Sequence, residues 1–149
     1  MLYGDPPLGL AYLAAYIRDN CPNVELSLLD QMTEQEIIEK IDKDKPEVIG
    51  LSAVSQNYYK VKEMAKKIKN TAPNSILVIG GVHITTSPES FANSIFDIAV
   101  IGEGEIPASL LLNTLEKDKG INLKNLKKIK GLMIREKGKV ISTGRTERM

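Results

Sequence analysis

Three apolar runs in this chain stop in small or polar residues: Val48-Ile-Gly-Leu-Ser-Ala-Val54, Ile76-Leu-Val-Ile-Gly-Gly-Val-His83 and Asp97-Ile-Ala-Val-Ile-Gly-Glu-Gly-Glu105. A short continuous apolar run bounded by turn residues is the pattern of a strand buried on both faces, as in a parallel sheet. Strands that end alike predict loops emerging along one edge of that sheet. Ligands of open parallel sheets bind outside the carboxyl ends of the strands, where the strand order reverses. The function of the chain is therefore expected in these loops.

Between the runs the apolar residues take helical spacing. Asp5-Pro-Pro offers an acidic cap and a proline where no backbone donor is missed. Leu10, Leu13, Ala14 and Ile17 then predict a helix over Leu8 to Arg18, and Ala11, Ala15 and Tyr16 widen its apolar face as packing on a sheet requires. Val24 to Leu29 reads as a strand. Thr33 and Glu36 have the capping-box spacing and open a helix that ends before Pro46. Another helix starts near Asn57 and carries Val61, Met64, Ala65 and Ile68, and Pro73-Asn74 separates it from a strand over Ile76 to Ile79. Ser87-Pro-Glu-Ser opens a short helix near Phe91, Ile98 to Ile101 forms a strand and Ile106 to Leu115 a helix. Gly131 to Ser142 reads as a hairpin about Lys137-Gly138. Residues 143–149 lack an apolar pattern and are expected to fray.

Strands alternating with helices at this cadence imply an α/β protein, a Rossmann-like, flavodoxin-type parallel sheet with helices on both faces and the hairpin appended. In the flavodoxin order the first strand is central, yet only Met1 to Gly4 precede the first helix. The expectation is a truncated start. The central strand would then be missing, with its neighbours pairing directly or a partner chain, as in a homodimer, filling the gap.

A chain of 149 residues with 42% hydrophobic content has one ordinary core, so residues 1–142 are read as one domain. Twenty basic residues against nineteen acidic ones give no field that favours nucleic acid or an anionic membrane. The Lys124, Lys127, Lys128, Lys130 cluster is accordingly read as a solvated face. Aromatic residues make up 5% and Trp is absent, which argues against a stacking platform for single strands. No apolar stretch approaches the ~20 residues of a bilayer span, and no signal core follows the N-terminus. The lone Cys21 cannot complete a disulfide, an iron–sulfur set or a zinc set, and points to a reducing cytoplasm. With one His, one Cys and no nucleophile–base constellation, no catalytic residue and no metal ligand set is assigned.

Taken in order, Pro6-Pro-Leu-Gly-Leu-Ala-Tyr-Leu-Ala-Ala-Tyr-Ile17, the Gly50-Leu-Ser-Ala-Val54 strand end, Gly80-Gly-Val-His83 with Pro88-Glu89, and Gly102-Glu-Gly-Glu105 resemble one family. It is the cobalamin-binding domain that precedes the catalytic domain of radical S-adenosylmethionine enzymes, among them the anaerobic magnesium-protoporphyrin IX monomethyl ester cyclases and many methyltransferases. The resemblance covers about residues 1 to 142. It implies cobalamin at the carboxyl edge with its nucleotide tail threaded into the sheet. The contact loops it implies are Ser52, Ala53 and Val54, then Gly80 and Gly81, then Gly102, Glu103, Gly104 and Glu105. Glycines there let backbone approach a bulky ring. The Asp-x-His-x-x-Gly motif that supplies a cobalt ligand in other cobalamin domains is absent, so cobalt is expected without a protein imidazole below it. CxxxCxxC is absent too. The iron–sulfur cluster and S-adenosylmethionine would thus belong to a radical domain of the parent enzyme, and this chain would not be catalytic alone.

His83 is read as hydrogen-bonding its neighbours or touching the cofactor tail in preference to ligating cobalt. Glu103 and Glu105 suit capping and the helix dipole better than an acid–base pair. Asn57 and Tyr58, beside the first loop, are placed at the ring's edge. Two alternatives stand beside the cobalamin reading: a flavodoxin-like module for a nucleotide or flavin, disfavoured by the lack of GxGxxG and GxxxxGK[ST], and an interaction domain that has lost its ligand.

Overall fold

The computed structural model describes residues 2–4 and 7–145, with side chains from Gly9 onward. Its elements in chain order are β1 (Leu2–Gly4), α1 (Pro7–Asn20), β2 (Leu28–Leu29), α2 (Glu34–Asp44), β3 (Val48–Ser52), α3 (Tyr58–Thr71), β4 (Ile76–Gly80) and α4 (Val82–Thr86). A 3-10 turn at Pro88–Phe91 follows, then β5 (Ile98–Val100), α5 (Glu105–Asp118), α6 (Leu123–Leu126), β6 (Leu132–Glu136) and β7 (Lys139–Ser142). Among the described residues the strands form one seven-stranded sheet in the order β2-β1-β3-β4-β5-β6-β7. The first five are parallel, in the flavodoxin order, and β6 and β7 add antiparallel at one edge.

The central strand expected to be missing is present. Leu2 to Gly4 lie between β2 and β3, with Leu2 opposite Leu28 on one side and Gly50 on the other. β2 and β3 therefore do not pair directly, and the sheet has no gap there for a second chain to fill. β2 is shorter than the Val24 to Leu29 run because β1 offers partners only to Leu28 and Leu29. The cap expected at Asp5 and Pro6 lies outside the described residues.

Local signals were obeyed where they were complete. The Glu36 backbone N–H donates to Thr33 Oγ1 at 3.2 Å and the Thr33 N–H donates to the Glu36 carboxylate at 2.8 Å, closing the capping box of α2. Lys45, in the left-handed region at φ 47°, ends that helix just before Pro46. The β6–β7 turn places Lys137 at φ 49° and Gly138 at φ 77°, the paired positive angles of a two-residue hairpin. Pairing continues past Ser142: the Thr143 N–H donates to Leu132 O at 2.9 Å and the Gly131 N–H to Gly144 O at 2.8 Å. Of the tail expected to fray, residues 146–149 lie outside the described residues.

The sheet has two unlike faces. Ile49, Leu51, Leu77 and Ile79 alternate onto one of them and are fully buried with Ile37 and Ile41 of α2 and Val61, Met64, Ala65 and Ile68 of α3. Arg135 of β6 closes the end of this layer. Its guanidinium donates to the carbonyls of Phe91, Ala92 and Ser94, its Nε to that of Phe96, and the group lies 4.2 Å from the Phe91 ring. The opposite face carries Val48, Gly50 and Ser52 of β3 and Ile76, Val78 and Gly80 of β4, all only half-buried. Over it lie α1 and α5, joined to each other where Asn113 Nδ2 donates to Asn20 O at 3.0 Å and the buried Cys21 thiol to Ser109 O at 3.5 Å. Burial pushes the Cys21 thiol above its ordinary pKa.

Candidate functional site

The loops after β3, β4 and β5 are stitched into one rim. Ser52 ends β3 opposite Gly80, the last residue of β4. Ala53, fully buried, donates its N–H to Gly80 O at 3.1 Å and accepts at its carbonyl from the His83 N–H at 3.1 Å. Between these bonds Gly81 takes φ 102°, and a Cβ there would stand 2.7 Å from Ala53 O and 2.8 Å from Ser52 Oγ. Only glycine fits. Thr85 then bridges onward: its Oγ1 donates to Gly81 O and accepts from the Gly102 N–H, each at 2.9 Å. Gly102 itself has φ 83°.

Asn57 closes its own loop. Its Oδ1 accepts from the Val54 N–H at 2.9 Å and its own N–H donates to Val54 O at 3.2 Å, which closes the loop leading into α3. Tyr58 and His83 stack with ring centroids 3.9 Å apart and planes 23° from parallel. The Tyr58 hydroxyl donates to Ser90 O at 3.3 Å, and burial raises its pKa above the free phenol value. Both nitrogens of His83 are engaged, Nδ1 with Ser55 Oγ and Nε2 with Ser90 Oγ, each at 3.1 Å. The imidazole thus braces three segments. Among the described residues no group of three or more His, Cys, Asp or Glu converges. Glu103 is exposed, while Glu105 is the first residue of α5, where a carboxylate complements the helix dipole.

From this rim a groove of about 860 Å³ runs across the half-buried face of the sheet beneath α1 and α5. Gly80, Gly81, Gly102, Gly104 and Glu105 line its carboxyl end, and Glu47 and Asn74 its amino end. Of the residues expected at the site, Ser52 also lines it, whereas Ala53, Val54, Asn57, Tyr58, His83 and Glu103 do not. Sequence reasoning missed Gly50 on the groove floor, whose place inside an apolar strand was a signal of close approach. It also missed the walls contributed by Leu13 and Ile17 of α1 and Leu111 and Leu112 of α5. Thr85 had no sequence signal, since its role depends on two loops distant in the chain.

Residues 4–112 match the B12 binding domain family. The chain belongs to that family. Its B12-binding domain is 36% identical over 139 residues to an uncharacterized methyltransferase of Pyrococcus horikoshii, covering 91% of this chain and 29% of the relative. It is 25% identical over 144 residues to the anaerobic magnesium-protoporphyrin IX monomethyl ester cyclase of Cereibacter sphaeroides, covering 93% of this chain and 23% of that enzyme. The chain thus spans less than a third of the length of these curated relatives. Among solved structures, the cobalamin-dependent S-adenosylmethionine radical enzyme OxsB with aqua-cobalamin bound shares the fold, with a TM-score of 0.81 and 23% identity over 99% of this chain and 22% of that one.

The glycines test whether this B12-binding domain has room for such a cofactor. Gly81 is required by the protein's own backbone, but Gly80 and Gly104 are not. Neither has a positive φ, and a Cβ on Gly80 would come no nearer than 3.9 Å to Val100 and one on Gly104 no nearer than 3.9 Å to Val100 or 4.0 Å to Leu13. Bare backbone lines the groove at two places where the fold would accept a side chain. That is the cradle a large flat ligand needs, and the residues present fit the group.

Proposed function

We propose that this B12-binding domain holds cobalamin as the cofactor module of a radical S-adenosylmethionine enzyme of the methyltransferase or oxidative cyclase type. The observation that carries the reading is the bare backbone at Gly80 and Gly104, set on a rim that opens into an 860 Å³ groove. The corrin lies against the rim formed by Ser52 to Val54, Gly80, Gly81 and Gly102 to Glu105, and the nucleotide tail enters the groove under α1 and α5. When bound, the cofactor supplies a methyl carrier or an electron-transfer partner. The chain's own residues bind, orient and exclude water. His83 serves the rim by bracing it, and cobalt would be held without an imidazole of this chain. The iron–sulfur cluster and S-adenosylmethionine belong to another domain of the parent enzyme. We place the domain in the reducing cytoplasm, which suits the lone Cys21.

The test is direct. The purified chain is mixed with hydroxocobalamin, passed through a desalting column and scanned for the corrin band. Co-elution in the unmodified protein and its loss in Gly80→Leu, with an unchanged thermal midpoint, is the expected result. A folded protein that carries no corrin at saturating cofactor overturns the proposal.

A further inference from the structure

The groove beneath α1 and α5 is polar at both ends and apolar between them. At its carboxyl end stand Ser52 and Glu105, at its amino end Asn23, Glu25, Glu47, Asn74, Glu116 and Lys119. The intervening floor is Val48, Gly50 and Val78, and the walls are Ile17, Leu111 and Leu112. The backbone offers nothing there either. Gly50 is paired on both sides, by Leu2 of β1 and Val78 of β4, and Val78 by Gly50 and Ile98 of β5, so the peptide groups of the central floor are spent on the sheet. Among the described residues, a polar group seated in this middle stretch finds no side-chain partner on the floor or walls.

Resting on the proposed function, we infer that the groove selects among cobamides by the polarity of the tail base, accepting an apolar benzimidazole and refusing a purine. A 5,6-dimethylbenzimidazole nucleotide off cobalt presents one free ring nitrogen and otherwise hydrocarbon. An adenine nucleotide presents three free ring nitrogens and an exocyclic amine. Each buried group without a partner weakens binding by about tenfold, and several together by more. Val78 is the residue that sets the choice, because it stands on the floor midway between the polar ends. Val78→Thr keeps the shape and the β-branch while adding one hydroxyl that a purine can use.

The experiment measures the affinity of the 149-residue chain and of Val78→Thr for hydroxocobalamin and for its adeninyl counterpart by equilibrium dialysis, with a thermal melt as the folding control. The cost of detaching each base from cobalt belongs to the free cofactor and cancels when the two proteins' affinity ratios are compared. With each free cofactor's own detachment cost subtracted, the expected result is cobalamin bound about tenfold or more tightly than the adeninyl form by the unmodified chain. Val78→Thr is expected to shrink that ratio about threefold or more. Equal affinities once each free cofactor's own detachment cost is subtracted, or a ratio that Val78→Thr leaves unmoved, overturn the inference while leaving cobalamin binding in place. Binding of neither compound by a cooperatively melting chain overturns the inference and the proposed function together.

Discussion

Replacing Gly81 by alanine separates what the rim needs for folding from what it offers a ligand. Gly81 sits at φ 102° and ψ −176°, a region essentially confined to glycine, in which a side chain costs about 1–3 kcal/mol. The added Cβ also meets Ala53 O at 2.7 Å and Ala53 N at 2.9 Å, backbone atoms that cannot swing aside as a side chain does. Relief requires stretching the Ala53 N–H to Gly80 O bond or the His83 N–H to Ala53 O bond, each contributing about 1 kcal/mol net. The expected destabilisation is about 2–5 kcal/mol, a large share of the ~5–15 kcal/mol of an ordinary domain. Urea unfolding followed by circular dichroism measures it as a lowered midpoint with an unchanged slope. The neighbouring Gly80→Ala is the control, since its Cβ stays 3.9 Å from Val100 and a smaller unfolded-state entropy offsets its cost to within about 1 kcal/mol. Equal effects of the two substitutions would refute the reasoning.

Arg135→Ala strips donors from the carbonyls of Phe91, Ala92, Ser94 and Phe96 and the cation from the Phe91 ring. It is expected to cost about 2–4 kcal/mol in the same assay, with Arg135→Lys recovering less than half because a point ammonium cannot span the set. Tyr58 has a folded-state pKa raised by burial, so its contribution is complete below the pH at which a free phenol ionises, about 10. It is lost as pH rises through the higher folded value. Stability measured from about pH 9 to 11 should fall in the unmodified chain and fall less steeply in Tyr58→Phe. Cys21 is 1% exposed with its thiol pushed up, so a thiol reagent should label it at the global unfolding rate, and rapid labelling of native protein would contradict the packing of α1 on α5.

What the sequence disclosed is what neighbouring residues decide. The α2 capping box, the Lys137-Gly138 turn and the apolar runs of β3 and β4 each carry their cause within a few positions, and each formed within a residue or two of expectation. β1 was misjudged because three residues have no period of their own, and their strand conformation comes wholly from β2 and β3 on either side. α4 was read as loop for a similar reason: Gly81-Val-His83 has no helical signal, and its single turn is held by the His83 N–H on Ala53 O and by Thr85 on Gly81 O. At the site, the glycines were found but their two roles were not separable, since φ and the distance to Val100 or Ala53 are properties of the folded chain. His83 was read as hydrogen-bonding its neighbours, and the structure names them as Ser55 and Ser90, while the loop-closing bonds of Asn57 with Val54 had no sequence signal.

The alternation of β3 and β4 explains how such a domain keeps a ligand groove without losing its stability. Ile49, Leu51, Leu77 and Ile79 place four large side chains of these strands on the α2–α3 face, each no more than 3% exposed. Burial of a side chain of this size contributes roughly 1.5–3 kcal/mol, an upper estimate given the compactness of unfolded chains. The other parity, with Gly50, Ser52 and Gly80, gives up most of that contribution and leaves room under α1 and α5. A one-residue slip in register would exchange the faces, putting isoleucines in the groove and glycines in the core. The backbone bonds of Ala53 with Gly80 and with His83 fix β3 against β4 at the end where the ligand enters, and the close approach of Ala53 that demands a glycine at 81 thereby also holds the groove face in register. Substitutions at positions 80 and 104 should therefore change affinity with little effect on unfolding, whereas a substitution at 81 should lower stability as well.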